Sequence, residues 1–375
     1  MIFNDIPGLS ELKQRLINSV KSAKVAHSQL FTGKPGSLNL PIAIAYATYI
    51  HCLNRGDSDA CGTCSACSKN LKYIHPDTHF VFPSSNVKGE KDPNRFKAEI
   101  TKMWRQFLLE NPFGNLSDWI HVFGGEEKGN QISRETSRDI MSSLSLKPFE
   151  SQYKVMIIWL PELMHKSASN GILKILEEPP ENTFFFLVTN SDQHILPTIR
   201  SRTQYIQVNM LSDNEMLDFL AKDKGVDADK ANHIVKVAEG NVSQALNMLD
   251  NTVLDENTQI INWLRACYSK DYKQLLVMMD EFNEANKIYQ QTFLFNTLNI
   301  LRDSLLHISG ANELVKINPE DIKFLSDFSK VLTLNKIEKA DKLITDASNF
   351  LEQNGNAKMI FFELSLLLSG TLLGI

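Results

Sequence analysis

Hydrophobic positions change their spacing along the chain. Short, nearly continuous apolar runs at 28–32 (SQLFT), 79–83 (HFVFP), 155–160 (VMIIWL), 184–189 (FFFLVT) and 205–210 (YIQVNM) predict strands. Strands without alternation are covered on both faces, as in a parallel sheet. Between 155–160 and 184–189 the apolar residues Ile172, Leu173 and Leu176 fall on one helical face, with Ser167 as the expected N-cap and Pro179-Pro180 forbidding continuation. The unit therefore reads strand, helix, strand.

The same reasoning places the other elements. A helix is expected over 5–26, with Ser10 as cap and Leu12, Leu16 and Val20 on one face. After the first strand come a loop and a helix with Pro41 in its first turn. Residues 84–118 read as a charged loop followed by a helix whose face is Phe96, Ile100, Met103, Phe107 and Leu108; 119–123 reads as a strand, and 131–149 as a helix capped by Ser133. Residues 212–249 give short helices around turns at Gly225 and Gly240. From Thr252 onward every apolar pattern is helical, with Phe293, Phe295, Phe361 and Phe362 assigned to the core. The expected class is α/β plus all-α: a parallel-sheet domain over 1–210, a small helical domain over 211–251 and a helical domain over 252–375.

Composition narrows the function. The formal net charge is −5 among 375 residues, unlike the strongly basic balance of a dedicated nucleic-acid binder, so any DNA contact must come from a local patch or a partner. Lys88, Lys91, Arg95, Lys97, Lys102 and Arg105 are interleaved with acids and read as a solvated face. No apolar run approaches the ~20 residues that span a bilayer. The opening MIFNDIPGL lacks the basic region and apolar core of a signal peptide, so the cytoplasm and no membrane partner are expected.

Four of the five cysteines are clustered: Cys52, Cys61, Cys64 and Cys67. Two overlapping C-x-x-C pairs with a fourth thiol nine positions earlier can bring four thiolates to one tetrahedral ion, with Zn²⁺ the expected metal. Gly56 and Gly62 ease the tight turns of such a knuckle, at about 50–75. Four thiolates leave no open position, which makes the site structural. His75 and His79 are then surface or packing residues, and Cys267 an inert core thiol.

The loop GKPGSLNL after the first strand stands where a phosphate-binding loop would. Against G-x-x-x-x-G-K-[ST] it keeps Gly33 but places Leu38, Asn39 and Leu40 at the next three diagnostic positions. Together with VMIIWL, LKILEEPP, FFFLVTN and Ser201-Arg202-Thr203, this order of motifs resembles the AAA+ clamp-loader family of bacterial DNA polymerase III. The resemblance is specific over 154–203 and in the cysteine knuckle, and architectural in the C-terminal helices. It implies an AAA+-like domain with an inserted zinc knuckle, a lid domain and a collar through which subunits assemble. Active members carry an Asp and a Glu where this chain has Trp159 and Leu160, and an Arg where it has Ser243. Neither an indole nor an isobutyl group binds a hard cation or takes a proton, so no ATP is expected to be bound or hydrolysed at this chain's own site.

The resemblance further implies that Arg202, in the motif opened by Ser201, is an arginine finger supplied in trans to a neighbouring ATPase subunit. Arg200 is a second candidate, and Thr203 replaces the family's Cys. The implied setting is a hetero-pentamer with gamma/tau and delta subunits that places a sliding clamp on primed DNA. Two other readings stay open: an active ATPase of the gamma/tau type, and a zinc-bearing nucleic-acid-binding protein on a decayed AAA+ fold.

Overall fold

The computed structural model describes residues 1–84, 93–123, 131–132, 147–249, 252–285, 287–317, 321–352 and 355–374. Contacts divide the chain into two compact units, Met1–Ala245 and Leu246–Ile375.

The first unit is built on five parallel strands in the order β2-β3-β4-β1-β5, comprising β1 (Ser28–Thr32), β2 (Thr78–Val81), β3 (Lys154–Trp159), β4 (Thr183–Thr189) and β5 (Gln204–Gln207). The helices of this unit are α1 (Ser10–Lys21), α2 (Asn39–His51), α3 (Ser65–Leu71), α4 (Pro93–Glu110), α5 (Leu116–Phe123), α6 (Lys166–Glu177), α7 (Pro197–Arg200), α8 (Asp213–Lys222), α9 (Ala228–Ala238) and, at its edge, α10 (Val242–Leu249). Burial explains the continuous strand pattern. Phe186 on β4 stacks on Tyr46 of α2 with ring centroids 5.1 Å apart, while its neighbours Phe185 and Leu187 join Met156, Ile158, Ile172 and Leu176 in a core beneath α6 and α7. Apolar helices thus cover both faces, and β1 lies between β4 and β5 with its residues all buried.

Three local expectations are corrected. Ser10 is the first residue of α1 rather than its cap; Leu9 holds that place in the left-handed region at φ 55°. Residue 167 lies inside α6, which starts at Lys166. Residues 119–123 belong to helix α5, because Asn115 and Asp118 close its N-terminus: Asp118 Oδ2 accepts from the Asn115 N–H at 2.7 Å and Asn115 Oδ1 accepts from the Asp118 N–H at 3.2 Å. The helix expected over 131–149, Ser133, Lys88 and Lys91 fall mostly or wholly outside the described residues.

Among its described residues the regular elements of the second unit are all helices, the α-helices being α11 (Thr252–Ser269), α12 (Tyr272–Glu284), α13 (Lys287–Ile308), α14 (Ile322–Val331), α15 (Leu334–Glu352) and α16 (Ala357–Leu373). Its core centres on Trp263, Phe282, Phe293 and Phe361; Phe282 and Phe361 stack 4.2 Å apart, and Trp263 Nε1 donates to Ser365 Oγ at 2.9 Å. Phe362 packs against that core from its edge, whereas Phe295 is exposed, contrary to its core assignment, because it sits on the outer face of α13. Cys267 is fully buried, and burial pushes its thiol up to about 12, as an inert core residue requires. Among the described residues no helix is long and apolar enough to cross a membrane.

Candidate functional site

The cysteine knuckle grows from the end of α2. Cys52 caps that helix, Cys64 caps α3 and accepts from the Cys67 N–H, and Gly62 turns the chain between them at φ +73°. The ligand atoms of Cys52, Cys61, Cys64 and Cys67 all lie within 4.8 Å of one another, and Cys61 and Cys67 Sγ are 3.9 Å apart. Zn–S bonds of about 2.3 Å in a tetrahedron put sulfurs about 3.8 Å apart, so the cluster is of the right size for zinc. The backbone supports thiolate character: N–H groups of Cys61, Cys64 and Cys67 donate to Cys52, Cys61 and Cys64 Sγ at 3.3, 3.3 and 3.4 Å. The N–H of Cys64, then that of Thr63, hold the Cys61 thiol down at about 6. Asp59 ties the knuckle to the sheet domain's first residues, accepting from the Phe3 and Asn4 N–H groups at 3.0 and 2.7 Å.

The histidines nearby pack rather than ligate. His75 is buried and stacks on His51 at 4.4 Å, and His51 Nδ1 lies 2.8 Å from Ser151 Oγ. Burial, and then His75, push His51 down to about 3, so His51 stays neutral, and burial pushes His75 down as well. His79 is half-buried on β2.

At the head of β1, the loop that would cradle phosphates is occupied by its own residues. Leu38, Asn39 and Leu40 are buried. Asn39, standing at the lysine position, spends its Nδ2 donors on Thr189 O at 2.9 Å and Asn190 Oδ1 at 3.0 Å. Its amide thereby ties the loop to the end of β4 instead of reaching outward. Gly33 is needed because a Cβ there would sit 2.0 Å from Ser37 Oγ and 2.7 Å from Val208 O. At Gly36 the Asn241 side chain comes within 2.4 Å of where a Cβ would lie, so the N-terminus of α10 covers the loop. Ser243, half-buried two residues on, brings no charge to it.

Trp159 and Leu160 point to a different use of the β3 terminus. Trp159 is 3 % exposed and packs against Trp104 and Phe107 of α4 at 5.1 and 6.4 Å. Trp104 continues into Trp119 of α5 at 5.0 Å and into Phe82 at 4.2 Å, and Trp119 Nε1 donates to Pro83 O at 2.8 Å. The two helices α4 and α5 therefore supply an aromatic cluster that closes over the end of β3, where the resembled ATPases carry an Asp. Leu160 is buried in the left-handed conformation and donates its N–H to Val188 O at 2.8 Å.

Sequence reasoning missed Glu162. Its Oε1 accepts from the Asn190 N–H at 3.2 Å, and its Oε2 is buried without a partner. Burial pushes this carboxyl above its ordinary range against the pull of those donors. Asn39, Asn190 and Glu162 make one polar chain across the loop, visible only once β1 and β4 are paired.

Arg202 lies at the surface just past α7. Its Nη2 is 2.6 Å from Glu177 Oε1, and its Nη1 donates to Thr198 O at 3.0 Å and Ser201 Oγ at 3.3 Å. Ser201 Oγ donates to Thr198 O at 3.1 Å, and Thr203 Oγ1 to Arg200 O at 3.2 Å, so the small hydroxyls brace the turn. Arg200 is engaged elsewhere, its Nε donating to Tyr205 Oη at 2.6 Å beside Asp192.

This order of strands, loop and arginine turn accompanies a match over residues 8–212 to the family model described as DNA polymerase III, delta subunit. The chain belongs to that family. A Bacillus subtilis relative, DNA polymerase III subunit delta', is 24% identical over 371 residues, covering 96% of this chain and 97% of its own. DNA polymerase III subunit gamma of Buchnera aphidicola is 25% identical over 256 residues, covering 67% of this chain, which spans 58% of that relative. A solved structure of a gamma subunit-related protein from Thermotoga maritima aligns over 95% of this chain and 99% of its own, with 14% identity and a TM-score of 0.45. Family membership agrees with the resemblance carried by the motifs at 154–203, and the α/β plus all-α class is the observed one.

Proposed function

We propose that this protein is a non-hydrolysing subunit, of the delta prime type, in a bacterial DNA polymerase III clamp loader. The observation that carries the proposal is an asymmetry. The places that would grip phosphate and Mg²⁺ are filled by Asn39, Trp159 and Leu160, which bond and pack within the chain, while the Arg202 guanidinium stays at the surface.

In this reading the chain acts as a rigid member of a hetero-pentamer with gamma/tau and delta subunits. Its three parts, 1–210, 211–251 and 252–375, serve as sheet domain, lid and collar. Arg202, braced by Ser201, enters the neighbouring subunit's ATP site, where a planar, permanently charged group stabilises charge on the transferring γ-phosphate. The ring uses that hydrolysis in the cytoplasm to seat a sliding clamp on primed DNA. Cys52, Cys61, Cys64 and Cys67 would hold Zn²⁺, whose chemistry here is structural because all four positions are thiolates. The ion would fix the 52–67 loop and, through Asp59, the first turn of the chain.

The isolated full-length chain tests this against the active gamma/tau-type reading. Equilibrium binding of radiolabelled Mg·ATP, followed by assay for released phosphate, is expected to show no turnover and no stoichiometric site. Saturable one-to-one binding with turnover would replace the proposal by the ATPase reading. Failure to copurify with gamma/tau and delta subunits would favour a zinc-bearing nucleic-acid-binding protein.

A further inference from the structure

Arg202 does not rest with its donors free. Glu177, the last residue of α6, lies 2.6 Å from its Nη2, and the chain cannot carry the helix further because Pro179 and Pro180 follow. The other nitrogen, Nη1, is turned onto Thr198 O and Ser201 Oγ. Both terminal nitrogens of the guanidinium fork are thus engaged within this chain, which occupies its Nη1–Nη2 edge. A bidentate grip on a phosphate uses two parallel N–H donors of that same fork. A carboxylate and a phosphate, both anionic, cannot share one edge of it.

We propose that Glu177 is a positioning residue that stows Arg202: its carboxylate competes with the neighbouring subunit's γ-phosphate, and Arg202 must leave it to act in trans. This inference rests on the finger reading given above and adds the control of that finger. The side chains of Arg202 and Glu177 are 36% and 48% exposed, so water screens the pair and the latch is light. Exposed pairs of this kind shift an equilibrium by about fivefold at most. Stowage lowers the fraction of subunits with a competent arginine, and the apparent engagement falls by that fraction. Glu178 next to it is exposed and makes a control of equal charge.

The test uses the reconstituted loader with the full-length chain, its ATPase subunits, clamp and primed DNA, read as DNA-stimulated ATP turnover. E177Q is expected to raise turnover by about two- to fivefold. The gain should shrink as salt rises, since the wild-type pair is then already screened. E178Q should match the wild type, and E177Q in an R202A background should match R202A alone. Turnover of E177Q at or below the wild-type level, in a loader that R202A cripples, overturns the stowage and leaves the finger standing. A gain that persists without Arg202 also overturns it. Turnover unaffected by R202A removes the finger reading itself.

Discussion

Placing an aspartate at residue 159 is a sharp probe of how the end of β3 is used. Trp159 is 3 % exposed, so it buries nearly the whole of a side chain whose area is about 150–250 Å². At roughly 25 cal/mol per Å² that burial is worth about 4–6 kcal/mol, an upper bound because the unfolded chain already hides some of it. Measured truncations of core tryptophan cost about 3–5 kcal/mol. W159D leaves the same cavity and adds a carboxyl beside Trp104 and Phe107, with about 1–3 kcal/mol more for a buried polar group without partners. The expected order is wild type, then W159A lower by about 3–5 kcal/mol, then W159D lower still. Urea unfolding followed by tryptophan emission suits the question, because Trp104 and Trp119 remain as reporters inside the cluster. W159D should gain no Mg²⁺-dependent ATP binding. An Asp variant as stable as the wild type, or one that binds Mg·ATP, would refute the claim that this position has become core.

Two further outcomes follow from the rest of the site. The purified chain should carry one zinc per molecule, and C61S should lower that content toward zero while exposing the 52–67 loop to protease; metal content is read by elemental analysis, and full retention by a variant lacking two of the four thiols would contradict the ligand set. Glu162 gives a pH signature. Its folded-state pKa lies above the unfolded value of 4.5, so its contribution is fully present below pH 4.5 and is lost as pH rises through the folded value. E162Q should therefore stabilise the chain at neutral pH and lose that advantage below pH 4.5, in urea titrations at several pH values; an advantage that grows on acidification would contradict the sign.

Much of the sheet domain could be read directly from the chain, for a physical reason. Strands buried on both faces are apolar at every step, as in VMIIWL and FFFLVT, and such runs need no partner to be recognised. Three thiols at C-x-x-C spacing with a fourth nine positions earlier are equally self-evident. The misreadings arose where local signals compete. Residues 119–123 are as apolar as a strand, and what makes them helical is the reciprocal Asn115–Asp118 closure just before them. The start of α1 depends on the left-handed turn at Leu9, whose N–H goes to Glu215 of α8 at 2.6 Å, a partner 206 residues away. The candidate site divides in the same way. The missing lysine, aspartate and glutamate were visible as absences, but what replaced them was not: Asn39 bonds across 150 residues to Thr189, and Trp159 meets Trp104 of α4, far upstream in the chain. The Glu177–Arg202 pair joins two motifs that sequence order keeps separate.

The central claim is that this chain lends a guanidinium to a neighbour's nucleotide while keeping none for itself, and the direct measurement is single-turnover ATP hydrolysis at the adjoining subunit in loaders assembled with wild-type, R202K and R202A chains. Because Arg202 is exposed and its loss leaves no buried charge, both variants should assemble normally. The account predicts hydrolysis at that site slowed by about 10³-fold or more in R202A, with R202K failing to restore it since a lysine has no planar fork. An unchanged rate in a correctly assembled R202A loader would contradict it.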